Sequence, residues 1–145
     1  MKKLLIVLIL FFSFSSFSQI TEDTKTAKEY FAKGIKKYNK GDFNGAIADY
    51  TKAIQFYSDY EGFYINRGAA KYKLNNFSGA IADYSKAIQL DPNNGKIYYN
   101  RGFPKGMLED YEGSCEDFNK SLELGMKFKK KDKKFIFKYC EIGDL

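Results

Sequence analysis

Three glycines, Gly34, Gly68 and Gly102, stand 34 residues apart, and their surroundings repeat with them. Phe43, Phe77 and Tyr111 keep the step. So do Ala46, Ala80 and Ser114; Asp49, Asp83 and Asp117; Tyr50, Tyr84 and Phe118. Lys52, Lys86 and Lys120 follow it too, as do Ala53, Ala87 and Ser121. A fixed period of this length marks stacked copies of one supersecondary unit, each contacting only its neighbours. Such arrays present a surface rather than a reaction pocket, so the first expectation is that the chain holds another molecule.

Each unit divides into two amphipathic stretches. In the second unit Tyr64, Ile65, Gly68, Ala69 and Tyr72 fall three to four residues apart, which predicts a helix from Glu61 to Leu74 with one apolar face. Asn75-Asn76 interrupts it. Ala80, Ile81, Tyr84, Ala87 and Ile88 mark a second helix from Phe77 to Leu90. Asp91-Pro92-Asn93-Asn94 stops that helix, because proline pushes its predecessor out of helical geometry. The same division falls at Gly41-Asp42 in the first unit and Glu109-Asp110 in the third. Gly68, Ala80 and Ala87 are small enough to let two helix backbones approach closely, while Tyr84 and Ile88 fill the gap to the next unit. One helix pair cannot bury its stripe alone, so successive pairs stack on a shared core.

These residues resemble the tetratricopeptide repeat, whose pattern opens Trp-x2-Leu-Gly-x2-Tyr, continues Ala-x3-Phe and closes on proline. Tyr64-Ile-Asn-Arg-Gly68 fits the opening, with tyrosine for tryptophan and Arg67 for leucine. Ala80-x3-Tyr84 and Pro92 fit the rest, and Ala46-x3-Tyr50 and Ser114-x3-Phe118 repeat the middle. The resemblance implies an all-α solenoid of helical hairpins with three repeats, 27–60, 61–94 and 95–128, and no insertion between them. Two departures stand out. Ser58 and Met126 occupy the proline position of the first and third units. Pro104 lies inside the first helix of the third unit, flanked by Gly102 and Gly106. An interior proline costs roughly 3 kcal/mol and a glycine about 1 kcal/mol relative to alanine. A kinked or frayed helix is therefore expected between Ile97 and Leu108.

The first residues read as a leader. Lys2 and Lys3 precede an unbroken apolar run from Leu4 to Phe12, and small residues at Ser16 and Ser18 suit a signal peptidase. Residues 1–18 are expected to be a signal peptide cut near Ser18–Gln19, followed by a short linker over 19–26. The competing reading is an uncleaved anchor helix, although the run is short of the roughly 20 residues a membrane span needs. The destination is the periplasm or the extracellular side. Loss of Lys2 and Lys3 lowers the formal charge from +6 to +4.

Composition excludes several classes. The chain has no histidine, which removes the usual general base, the histidine-dependent nucleophile systems and most zinc sites. No cofactor, no metal and no catalysis are expected; a small hydrolase would need a convergent polar pocket. The carboxylates that recur with the architecture are poor candidates for catalytic acids. Arg67 and Arg101 are the only arginines, too few for reading base edges, so no nucleic-acid partner is expected. Both arginines are expected to meet Asp49 and Asp83 of the preceding helix as exposed inter-repeat pairs. Asp49, Asp83 and Asp117 also stand three residues before Lys52, Lys86 and Lys120, on one helical face.

Beyond the third unit, residues 129–145 carry a basic linker and a short amphipathic helix, Lys130 to Ile142, marked by Phe135, Ile136, Tyr139 and Cys140. A terminal repeat needs its last apolar face covered, and this segment suits that capping role. Cys115 and Cys140 would then meet as a disulfide across a loop of about 25 residues; the alternative is two separately buried thiols. Between Lys127 and Lys134 stand six lysines and one acid. They make either a solvated linker or a weak contact with an anionic envelope surface.

The resemblance also implies where a partner sits. In the family the first helices line a concave groove that takes extended peptides or partner helices. By register the groove is lined by Lys28, Phe31, Ile35 and Tyr38 in the first unit, and by Ile65, Asn66, Ala69, Tyr72 and Lys73 in the second. Lys96, Tyr99, Asn100 and Phe103 complete it. Tyrosine offers apolar area and a hydroxyl at little entropic cost, which suits recognition. A convex face or edge is the other candidate, with some of these rings packing between units. One subclass of the family grips the carboxylate of heat-shock chaperones with two lysines, two asparagines and an arginine. Only Asn66 and Lys96 match; Phe31, Ile35 and Asn100 depart from it, so that clamp is not expected. The chain is expected to be a non-catalytic scaffold for a protein or peptide. The alternative is an envelope-surface module acting through Lys127–Lys134.

Overall fold

The computed structural model describes residues 2–128 together with Ile136 and Cys140, with side chains from Thr21 onward. Six helices follow one another: α1 Lys2–Asn39, α2 Phe43–Phe56, α3 Glu61–Lys73, α4 Phe77–Leu90, α5 Gly95–Met107 and α6 Tyr111–Glu123. No strand occurs among the described residues. The stretch 19–26, expected as a linker, is helical and continuous with the first helix of the first repeat. Among the described side chains of that helix the first buried one is Ala27.

The three hairpins share one turn. Gly41, Asn75 and Glu109, in register, take positive φ values of 83°, 59° and 64°. The next residue in each, Asp42, Asn76 or Asp110, caps the second helix by accepting from the N–H of Gly45, Gly79 or Gly113 at 2.9, 3.0 and 3.0 Å. A left-handed residue followed by a capping side chain reverses the chain and satisfies the first free N–H groups.

Glycine recurs because a ring from the second helix rests on the first. A Cβ on Gly34, Gly68 or Gly102 would lie 2.5, 3.0 or 2.8 Å from the ring of Tyr50, Tyr84 or Phe118. Ala46, Ala53, Ala80 and Ala87 are fully buried and keep each pair of helices close. The third repeat has Ser114 and Ser121 at two of these positions, both buried. The Ser114 hydroxyl is satisfied by donating to the Gly102 carbonyl at 2.8 Å.

First helices touch across repeats, α1 with α3 and α3 with α5. Among the described residues α2 does not reach α4, nor α4 α6. The array therefore curves with its first helices on the inner side.

α5 is helical through Pro104, so the fraying expected there does not occur. Pro104 is fully buried. It holds the register of Ala70, which packs with Ala46 and Tyr50. Burying the ring offsets part of the missing N–H bond. The Leu108 N–H closes the helix on the Pro104 and Lys105 carbonyls at 3.2 and 3.0 Å.

The recurring carboxylates pair differently from the sequence expectation. Arg67 meets Asp83 of its own repeat with two prongs, at 2.9 and 2.7 Å, and its third nitrogen donates to the Thr51 hydroxyl of the preceding repeat at 3.0 Å. Arg101 does the same on Asp117, at 2.8 and 2.7 Å, and on Ser85 at 2.9 Å. Lys71 and Lys105 add a second cation at 2.8 and 3.2 Å, and in the first repeat Lys37 meets Asp49 at 2.7 Å. The carboxylates are buried, so these are not exposed surface pairs. The lysine three residues on is not their partner: Lys120 pairs with Glu123, and Lys52 lies over the Tyr30 ring.

At the C-terminal end Ile136 and Cys140 are buried with Phe118, and Tyr99, Phe103, Cys115 and Phe128 pack against them. Cys140 donates its N–H to the Ile136 carbonyl at 2.8 Å. Cys115 and Cys140 are joined by a disulfide with Cα atoms 5.4 Å apart. The rest of the expected capping helix, including Phe135 and Tyr139, lies outside the described residues, as do the lysines from Lys129 to Lys134.

Candidate functional site

The inner helices set out side chains in columns, because equal registers of α1, α3 and α5 face the same way. One column is Phe31, Ile65, Tyr99. The next is Ile35, Ala69, Phe103. A third is Tyr38 and Tyr72, ending at Gly106. Ala69 is the small member of its column, and a hollow opens over it. Tyr38, Ala69, Tyr72, Lys73, Tyr84, Asn100 and Phe103 line this cavity of 180 Å³. Its walls come from all three repeats. Six of these residues are among the expected groove set. Tyr84, from α4, is the addition: its ring fills the core, yet it also floors the cavity.

Lys28 and Phe31 open into a second cavity of 380 Å³ at the N-terminal end, together with Thr24, Tyr57, Tyr60 and Phe63. The loop Tyr57-Ser58-Asp59-Tyr60 was not part of the expected groove. Its two exposed rings, with Phe56 exposed at the end of α2, were the available signal.

The remaining expected residues divide by how much they are already used. Tyr99 stacks on Phe128 with centroids 5.6 Å apart and meets Phe103 edge-on at 5.1 Å. Phe31 lies 5.0 Å from Phe63. Part of this aromatic surface thus packs between units. Ile65 packs against the core below it. The Asn66 amide donates to the Gly62 carbonyl of its own helix at 2.8 Å. Lys73 and Lys96 are exposed at the rim, and Asn100 is half-buried.

Burial raises the Tyr38 and Tyr72 phenols, and raises Tyr84 furthest. Burial pushes the neighbouring Tyr50 phenol up to about 12. All four stay neutral and able to donate at ordinary pH. Two columns escaped the sequence reading. Tyr30, Tyr64 and Tyr98 carry Lys33, Arg67 and Arg101 over their rings at 4.9, 5.7 and 5.7 Å. Lys37, Lys71 and Lys105 hold the buried carboxylates. Both keep the 34-residue step and were legible as repeats, but nothing in one sequence says which side chains meet. Among the described residues no group of acids and cysteines is placed to hold a metal ion.

Comparison with known proteins places this geometry. A family model described as TPR repeat matches residues 34–75 and 68–103. The TPR domain of Arabidopsis OM64 superposes with a TM-score of 0.75 at 29% identity, over 81% of this chain and 96% of that one. The TPR2B domain of yeast Sti1, in its pHsp70 complex, is 30% identical, with a TM-score of 0.67 over 69% of this chain and 80% of that one. The first TPR of Spaghetti (RPAP3), bound to the HSP90 peptide SRMEEVD, is 26% identical, with a TM-score of 0.75 over 80% and 91% of the two chains. No curated protein matches the chain.

Proposed function

The chain belongs to the tetratricopeptide-repeat family, and from that premise we propose that it is a non-catalytic adaptor whose inner groove holds an extended segment of a partner protein. One observation carries the reading. The three first helices jointly line a cavity with unused polar atoms, at the place where side chains of all three repeats converge. Two of its relatives are peptide- or chaperone-bound TPR domains, which supports a peptide as the occupant. The heat-shock clamp is absent from the matching positions: Phe31, Ile35 and Asn100 stand where cations or amides are needed, and Asn66 spends its amide on Gly62. The partner is therefore of another kind. The leader-like start and the disulfide support an exported setting, periplasmic or extracellular.

The test is crosslinking of the tagged full chain in its own cells, with an Ala69→Arg variant beside it. Arginine at Ala69 fills the hollow while leaving the helix a good helix former. Tyr99→Asp would be a poor probe, since Tyr99 packs on Phe128 and Phe118. One dominant partner, lost in a variant of unchanged melting temperature, is the expected result. Capture that survives Ala69→Arg moves the function to the convex face or to the lysine segment. Intact mass of the captured chain reads whether it begins at Gln19.

A further inference from the structure

The central cavity has a chemistry of its own. Tyr38, Tyr72 and Tyr84 bring phenol groups to it, Asn100 an amide and Lys73 an ammonium. No carboxylate is among its lining residues. None of these three hydroxyls, nor Lys73, has a hydrogen-bond or ionic partner among the described residues. Tyr84 is the telling member. It is 3% exposed as a residue, yet its hydroxyl is not enclosed without a hydrogen-bond partner, as those of Tyr50 and Ser121 are among the described residues. What that oxygen leaves open, it leaves open to the cavity it lines. Phe118 holds the same register in the third repeat, so a ring without the hydroxyl fits the fold. The Tyr84 hydroxyl is spare for packing and faces a hollow that Ala69 keeps open.

Resting on the groove reading above, we propose that this cavity reads an acidic side chain, Asp or Glu, carried inside an extended partner segment. Donors surround the hollow and one cation stands at its rim, which suits an acceptor of negative charge; charge-assisted hydrogen bonds are the stronger kind. The phenols remain protonated donors because burial disfavours phenolate, and Tyr38 and Tyr72 would each oppose ionisation of Tyr84. The cavity volume of 180 Å³ holds one side chain, not a folded element. Recognition is of an internal residue. The positions that grip a terminal carboxylate in chaperone-binding relatives are different ones, and of them only Asn100 borders this cavity.

The experiment immobilises the full chain and offers it pools of degenerate dodecapeptides, acetylated and amidated so that no terminal charge remains. The central residue is fixed as Glu, Gln, Lys or Leu. The expected result is retention of the Glu pool over the Gln pool by roughly tenfold, as one charge-assisted contact predicts. Tyr72→Phe with Tyr84→Phe should bring the ratio towards one, leaving the Gln pool unchanged. Lys73→Gln, at an exposed position, should lower it as well and covers the case in which the double variant fails to fold. Equal retention of Glu and Gln pools, abolished together by Ala69→Arg, overturns this inference and leaves the groove reading standing. A Glu preference untouched by all these variants overturns it too, because the acid is then read elsewhere. Retention of no pool overturns the groove reading, and this inference with it.

Discussion

In the second repeat the residue packed with Ala46 and Tyr50 is Ala70; in the third the same register is Pro104, also fully buried. The second repeat turns between its helices on Asn75, the third on Glu109. Tyr72 projects into the groove where the third repeat has Gly106. Ala80 and Ala87 become Ser114 and Ser121. Yet α3 and α5 are both 13-residue helices, and Arg67 and Arg101 hold Asp83 and Asp117 with nearly equal geometry. The difference teaches which parts of a repeat are negotiable. The ring resting on the glycine, the buried arginine–aspartate pair and the capped turn recur in both. Local helix quality does not, because the third repeat also has a disulfide to Cys140 and an aromatic cluster at its end.

That comparison can be broken most forcefully by reduction. Opening the Cys115–Cys140 bond removes a cross-link over 25 residues, which should cost roughly 3 kcal/mol. The loss should fall on the third repeat. Hydrogen exchange of α5 and α6 with and without reductant checks it: equal acceleration in α3 and α4 would mean that the two repeats are not held differently. Pro104→Ala should move the other way. Restoring the N–H gains up to roughly 3 kcal/mol, less about 1.6 kcal/mol for the two buried methylenes lost, for a net gain of about 1.4 kcal/mol in urea unfolding. A loss of stability would show that the ring's packing outweighs the backbone defect. The smallest effect is at the turn. Glu109 holds a φ of 64°, which glycine adopts freely at Gly41. Glu109→Gly should stabilise by about 1 kcal/mol, while Asn75→Gly should gain less, because asparagine tolerates that region.

Much of the fold was legible in advance. The 34-residue step and the apolar spacing located every hairpin, and the boundaries of α3 and α4 fall within one residue of those expected. Register puts equal positions on one face, which is why six of the seven residues lining the central cavity were in the expected set. Pairing was not. Arg67 has Asp49 and Asp83 at similar separations of 18 and 16 residues, and sequence spacing cannot choose between a neighbour across repeats and one within. Geometry chooses Asp83, because the guanidinium leaves α3 towards α4 and reaches α2 only with its third nitrogen. The same limit hid the double role of Tyr84. Its apolar register predicted a core ring, and only the packed structure shows that it also borders the hollow over Ala69.

The sequence by itself determined the repeat, its turns, the small residues at helix contacts and the chain's membership of an all-α class, since all of these follow from local periodicity and steric size. Only the tertiary structure decided which carboxylate each arginine holds, how Pro104 stays helical, and where the inner face is hollow. Those depend on three helices meeting at once, and a one-dimensional pattern fixes which face a side chain lies on but not what stands opposite it.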